Sequence, residues 1–211
     1  MTVVAWVLLG VAAAAAVIDW VSVVRGSKPL EYFAKPATTI ALLGVALAVD
    51  PAHHDVRVWF AAALVASLVG DVFLMVSGDR FVFGLGSFLV AQVLFTIGFS
   101  LHAGTATEYV VGVAIVSVLS TVLCSRFIRA LRRAGRTELV VPVVCYMLAI
   151  AAMVASAIAS GNVYAIVGAL LFMASDSWIA ENRFVEEHRW GQLVIMVTYH
   201  AALAGLVVSL V

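Results

Sequence analysis

The sequence predicts an all-α, polytopic membrane protein in which eight transmembrane helices form a single integral-membrane domain over residues 1–211. Three observations predict it. Hydrophobic residues fill 64% of the 211 positions and charged residues only 11%, with a mean hydropathy of +1.14, whereas a soluble domain is about a quarter charged. Apolar runs of roughly the 20 residues that cross a hydrocarbon core recur eight times, at approximately 2–24, 33–49, 58–77, 82–101, 109–125, 139–159, 162–180 and 190–210. They are joined by short connections, and in lipid each backbone amide must be satisfied within its own helix or in a closed barrel. The third observation is the placement of the basic residues.

The first span contains "VAAAAAVIDW", an A-x-A stretch like a signal-peptide cleavage site, but it lacks a basic n-region and is expected to be retained. Asp19 lies near its end, where it can snorkel or pair with Arg25. The second span is entered by Glu31, Lys35 and Pro36, with Thr38 and Thr39 one turn on. The third carries Ser67 and Asp71, and Asp79 with Arg80 marks the turn into the fourth, which carries Gln92. The fifth runs into Arg126, Arg129, Arg132, Arg133 and Arg136, read as a topogenic loop contacting anionic lipid. The sixth starts at Pro142; the seventh holds Ser175, Asp176 and Ser177 and leads to Asn182 and Arg183; the eighth holds Tyr199 and His200.

Lys and Arg stay on the cytoplasmic side of a membrane. Connections one, three, five and seven, with the span ends beside them, carry Arg25, Lys28, Lys35, Arg80, the five arginines from 126 to 136, Arg183 and Arg189; the other side carries Arg57. Both termini are therefore expected outside, and the protein in the cell membrane. The 12 basic and 12 acidic residues cancel, so no net charge points to nucleic acid.

The two halves echo one another. Pro36 answers Pro142, Asp71 answers Asp176, and Gln92 answers Tyr199, at offsets of 105 to 107 residues. Four helices per half predict two parallel repeats, approximately 1–105 and 106–211, with a site between them.

Asp71 and Asp176 each lie about two helical turns beneath the cytoplasmic interface at 1.5 Å per residue. A carboxylate costs about 2.5–3.5 kcal/mol at mid-membrane on insertion scales, so two at matching depth predict one shared cavity. Ser67, Ser175, Asn182, Tyr199, His200, Lys35 and Thr39 are its expected polar neighbours. Hydroxyls and amides also serve as interhelical hydrogen-bonding glue, but carboxylates are expensive glue. Two nearby carboxylates cannot easily ionise together, so one can donate a proton while the other activates water.

Other chemistries are disfavoured. Cys124 and Cys145 have no CxxC spacing. His53, His54 and His102 fall in outer connections, His188 in an inner one and His200 in a helix, so no three are expected to converge on a metal, and H-E-x-x-H is absent. "GLGSF" around Ser87 is not a G-x-S-x-G elbow, and there is no Walker loop.

"KPATTIALL" from Lys35, "GDVFLM" from Gly70, "GLGSFLVAQVLFTIGF" from Gly84, "GALLFMASDSWIAENRF" from Gly168 and "VTYHAA" from Val197 resemble the YhhN family of lysoplasmalogenases, which includes the vertebrate transmembrane 86 proteins. The resemblance implies hydrolysis of the vinyl ether bond of a lysoplasmalogen, a lysophospholipid, to a fatty aldehyde and a glycerophospho head group, without a metal or organic cofactor. It implies Asp71 and Asp176 as the acids, with Lys35, Asn182 and Tyr199 as associated positions. Two positions depart from the family pattern: Gln92 stands where His is expected, and His200 follows Tyr199 in place of a second Tyr. Asp176 and its serine neighbours are assigned to the water side, and Lys35, Asn182 and Arg183 to the lipid phosphate. The competing expectation is a proton-coupled transporter using the same carboxylates.

Overall fold

A backbone that must satisfy its own hydrogen bonds leaves little choice but the helix, and the computed structural model, which describes residues 1–75, 80–102 and 104–211, is helical along nearly its whole length. The described residues form α1 (Val3–Arg25), α2 (Lys28–Ala48), α3 (His54–Met75), α4 (Phe81–Leu101), α5 (Ala106–Arg133), α6 (Val140–Ala159), α7 (Val163–Phe184) and α8 (Gly191–Val208), with one 3₁₀ turn at Thr137–Leu139. All eight are long and apolar enough to cross a membrane. Asp79 lies outside the described residues.

Local chemistry sets the helix ends. The Thr2 side chain accepts the Ala5 N–H at the start of α1, and Gly26, at φ 66°, closes it by donating to the Ser22 and Val23 carbonyls. A β-carbon at that φ would be strained, so glycine suits the stop. Thr105 and Glu108 form a capping box on α5, and Asn162 accepts the Tyr164 and Ala165 N–H groups of α7.

Three helices outrun the spans expected from hydropathy. α2 begins at Lys28, α5 continues to Arg133, and α7 reaches Phe184. Arg126, Arg129, Arg132 and Arg133 therefore stand on helical turns rather than in a loop, and Arg126 clamps Glu181 of α7 through Nε at 2.8 Å and a terminal nitrogen at 2.5 Å. The reason is physical: hydropathy marks the hydrocarbon thickness, whereas a helix continues into the headgroups as long as its charged side chains stay wet. Pro36 falls two turns inside α2, where it has no N–H to give the Tyr32 carbonyl.

The helices pack as antiparallel pairs, α1 with α2, α3 with α4, α5 with α6 and α7 with α8; α4 meets α6 and α2 meets α8 between the halves. One end gathers both termini: Thr2 Oγ1 donates to the Ala48 carbonyl at 2.7 Å, Ala52 N to Leu210 O at 2.9 Å, and Asn162 Nδ2 to Ser209 O at 3.2 Å. The other, basic end carries every Lys and Arg except Arg57.

Large apolar side chains such as Val110, Val118 and Val122 point outward, as they should where the solvent is lipid. Lipid tails are as apolar as these side chains, so close packing must hold the bundle together instead. The interior supplies it. Phe60 meets Phe95 edge-on at 5.0 Å, Phe95 meets Phe172 at 6.4 Å, and Phe172 and Phe88 meet Tyr199 at 5.9 and 5.7 Å, an aromatic layer spanning α3, α4, α7 and α8.

α7 and α8 cross closely. A β-carbon on Gly168 would stand 2.8 Å from the Leu206 nitrogen, and one on Gly205 would stand 3.1 Å from the Gly168 α-carbon. Gly168→Val should therefore push the helices apart and destabilise the fold by roughly 1–3 kcal/mol. Gly10→Val, at a lipid-facing position with nothing within 4 Å, is the matched control; thermal unfolding in detergent should separate the two.

Candidate active site

Asp71 belongs to the inward face of α3, and its side chain is fully buried. Three groups from two other helices converge on it. Lys35 Nζ of α2 lies 3.2 Å from Oδ1, Thr39 Oγ1 of α2 donates to Oδ2 at 2.9 Å, and the Tyr199 hydroxyl of α8 donates to Oδ2 at 2.8 Å. Lys35 and Thr39 share a face because they are one turn apart. The lysine is 3% exposed, so each charge has the other as its counter-ion.

Asp176 of α7 is held differently. Gln92 Nε2 of α4 donates to its Oδ2 at 2.9 Å, and the Tyr146 hydroxyl of α6 donates to the same oxygen. Among the described residues no hydrogen bond falls on Oδ1 and no cation pairs with the group. Asp71 thus has a cation and two hydroxyls; Asp176 has one amide and one phenol, all neutral.

Both carboxylates line a single cavity of about 620 Å³ that reaches toward the basic end. Lys35, Ser175, Asn182, Arg183 and Tyr199 share its walls. The Ser175 hydroxyl donates to the Ile195 carbonyl at 3.1 Å, tying α7 to α8, and the Asn182 side chain accepts the His188 N–H. Toward the termini the aromatic layer closes beneath it, and Phe88 lines the cavity.

Other expected neighbours stand elsewhere. Thr39 and Gln92 are behind the cavity wall, acting on Asp71 and Asp176. Ser67 is buried with no hydrogen-bond partner among the described residues and does not line the cavity. His200 faces α1, not the site: its Nδ1 accepts the Trp20 N–H at 3.1 Å. One step along α8 from Tyr199 turns a side chain by about 100°, the angle that follows from 3.6 residues per turn, so adjacent residues serve different surfaces. Asp19 neither snorkels nor pairs with Arg25; it is fully buried, and neither carboxylate oxygen has a hydrogen-bond partner among the described residues.

Tyr146 had no place in the sequence reading, yet a signal existed: it follows Thr39 by 107 residues, as Tyr199 follows Gln92. The outer histidines also come closer than expected. His53 and His102 stack with ring centroids 3.7 Å apart, and His102 Nε2 lies 2.8 Å from Asp55 Oδ2, giving three ligand atoms within 4.8 Å of one another. The antiparallel packing of α3 on α4 joins connections that are distant in sequence.

Fold and cavity define a class: a polytopic membrane protein with two carboxylates, Asp71 buried and Asp176 half-buried, on one cavity at its basic end. Within that class the chain belongs to the YhhN family, whose model matches residues 30–210. It is similar to proteins named lysoplasmalogenase from Mycobacterium tuberculosis and Mycobacterium bovis, each 32% identical over 173 residues, 79% of this chain and 65% of the relative. Lysoplasmalogenase TMEM86B of Sus scrofa is 31% identical over 140 residues, 66% of this chain and 58% of that protein. The matches therefore span less than two thirds of these relatives' own length. No solved structure matches the chain.

Lys35→Met should leave Asp71 as an uncompensated buried charge and lower stability by roughly 3–5 kcal/mol. Adding Asp71→Asn to the same chain should recover most of that loss, since both charges are then gone. Thermal unfolding of the two variants in detergent reads the coupling.

Proposed function

We propose that the protein is a membrane hydrolase that cleaves the vinyl ether bond of lysoplasmalogens, with Asp71 and Asp176 as its acid–base pair. The observation that carries the reading is the one cavity lined by both carboxylates, in a chain similar to proteins named lysoplasmalogenase. The relatives named lysoplasmalogenase favour hydrolysis over transport. The basic end faces the cytoplasm in this reading, within the cell membrane, and the halves form two parallel repeats. The matched hydrogen bonds support the repeat: Thr39 and Tyr199 serve Asp71 as Tyr146 and Gln92 serve Asp176.

Asp176 has only neutral donors, Gln92 and Tyr146, surroundings that suit the neutral acid, while Lys35 matches a negative Asp71. This gives the reverse of the division expected from sequence. Asp176 donates its proton to the alkenyl carbon distal to oxygen, leaving an oxocarbenium ion and a carboxylate. Water adds to the cationic carbon and its proton passes to Asp71. The hemiacetal hydroxyl then returns a proton to Asp176, the C–O bond to glycerol breaks, and Asp71 protonates the departing oxygen. Aldehyde and glycerophospho alcohol result, one water is consumed, and both carboxyls regain their starting states. The reaction calls for no metal or organic cofactor. Arg183 and Arg189, at the cavity wall, are placed to meet the lipid phosphate, with Asn182 beside them.

Purified protein incubated with a lysoplasmalogen should release free aldehyde, while liposomes containing it should show no coupled uptake. Asp71→Asn and Asp176→Asn should each lower turnover on the order of 10²–10⁴ with folding preserved; activity retained in either variant removes that residue from the role. Arg183→Ala should raise KM on the order of tenfold with little change in kcat, as loss of a charge-assisted contact made equally in ground and transition states.

A further inference from the structure

Beside the polar cavity, and sharing Asp176 with it, lies a compartment of contrary character. It runs between α4, α6 and α7, backed by Phe127 of α5, and its walls are apolar apart from Asp176, Ser177 and the Tyr146 hydroxyl. The Tyr146 hydroxyl donates to Asp176, and the Ser177 hydroxyl donates to the Met173 carbonyl at 2.7 Å, so neither offers a free polar group. Asp176 forms part of the wall of both compartments, and Phe88 with it. The polar cavity measures about 620 Å³ and the apolar slot about 30 Å³. Met147 and Met173 line the slot, and unbranched thioethers are the side chains that repack most readily around an entering group.

A vinyl ether lysolipid changes character at one bond. Its glycerol and charged head group lie on the oxygen side, its hydrocarbon on the carbon side. We infer that the slot between α4, α6 and α7 takes the alkenyl chain, so that the vinyl ether rests at Asp176, where the polar and apolar compartments meet. The inference rests on the lysoplasmalogen reading and deepens it by giving the chain a place and Asp176 the reacting carbon.

A second apolar groove competes for the chain on size. It measures about 160 Å³ and lies between α1, α2 and α8, lined by Leu9, Ala12, Leu42 and Ala204, with Trp20 and His200 beside them. Neither Asp71 nor Asp176 touches it, so a chain seated there would leave its vinyl ether away from both carboxyls. Juxtaposition with the acid decides for the narrower slot. Since lipid tails solvate a chain as well as apolar side chains do, the slot serves to aim the chain and to select its length rather than to add affinity.

The test uses a saturated alkyl-ether lysolipid with a diazirine at the chain end, which needs no turnover to report its seat. Photolysis with the full-length protein in detergent should place adducts on α6, at Met147 or Ile150, and Val143→Trp or Met147→Trp should suppress them. Adducts confined to the α1–α8 groove or to the outward helix faces, or adducts indifferent to both substitutions, overturn the inference. With vinyl ether substrates, Met147→Trp should lower the ratio of long-chain to short-chain kcat/KM on the order of tenfold, the scale of discrimination a filled apolar pocket supplies. An equal loss at both lengths, or an unchanged ratio, also overturns it. Adducts on α6 in a protein that releases no aldehyde from any chain length would sink the hydrolase reading and leave the chain site standing.

Discussion

A carboxylate buried inside a membrane bundle needs a partner, and the ion pair between Asp71 and Lys35 is the interaction around which the bundle is arranged. Its two members come from α3 and α2, and Tyr199 brings α8 to the same carboxylate. Each contact fixes a helix in rotation as well as in position, because a side chain one residue off faces elsewhere. In a solvent that gives apolar surfaces little reason to associate, such polar ties and the close glycine crossing of α7 on α8 hold the register. The same pair makes the lysine unlike a surface cation. It is buried beneath the headgroups, and its charge is answered from within the protein.

The second carboxylate shows what the lysine does by lacking one. Thr39 and Tyr199 around Asp71 correspond to Tyr146 and Gln92 around Asp176, at a common offset of 107 residues. Lys35 breaks the correspondence. The residue that precedes Pro36 is a lysine, whereas the residue that precedes Pro142 is Val141, an outward-facing apolar side chain. Of two carboxylates with otherwise matching donors, one thereby has a cation and the other only neutral donors. Acid–base chemistry needs that difference: two groups in identical surroundings would compete for the same proton state, and two in different surroundings can divide the roles.

Much of this was legible in the chain. Length and apolarity placed eight spans, and the expense of a carboxylate in lipid picked out Asp71 and Asp176 against a background of serines and threonines. Composition could not say where a helix stops, because Arg126 to Arg133 are as content on a helical turn in the headgroups as in a loop. Nor could it orient a side chain without a clear polar stripe. His200 and Tyr199 read as one motif yet face different neighbours, and Asp19, so near Arg25 in sequence, is turned inward. Tyr146 was hidden because a tyrosine beside a membrane interface is ordinary; only the repeat could have singled it out. The meeting of His53 with His102 depends on how α3 lies against α4, a tertiary fact with no local signature.

The aromatic layer gives the site its direction. Phe88 and Tyr199 tie the polar cavity to the aromatic layer, and its other walls reach Arg183 and Arg189 at the basic end. Asp176 lines both that polar cavity and the apolar slot. The reaction proposed at this carboxyl would sever the polar part of the substrate from the apolar part and leave each product in the compartment that suits it. The glycerophospho alcohol would face the polar cavity and the aldehyde the apolar slot. Separation then follows from solvation: the alcohol gains nothing by re-entering the slot, and the aldehyde gains nothing by turning toward the arginines. In a bundle whose outer surface is lipid-solvated, an interior with one polar and one apolar compartment would let the proposed cleavage and the sorting of its products depend on the same wall.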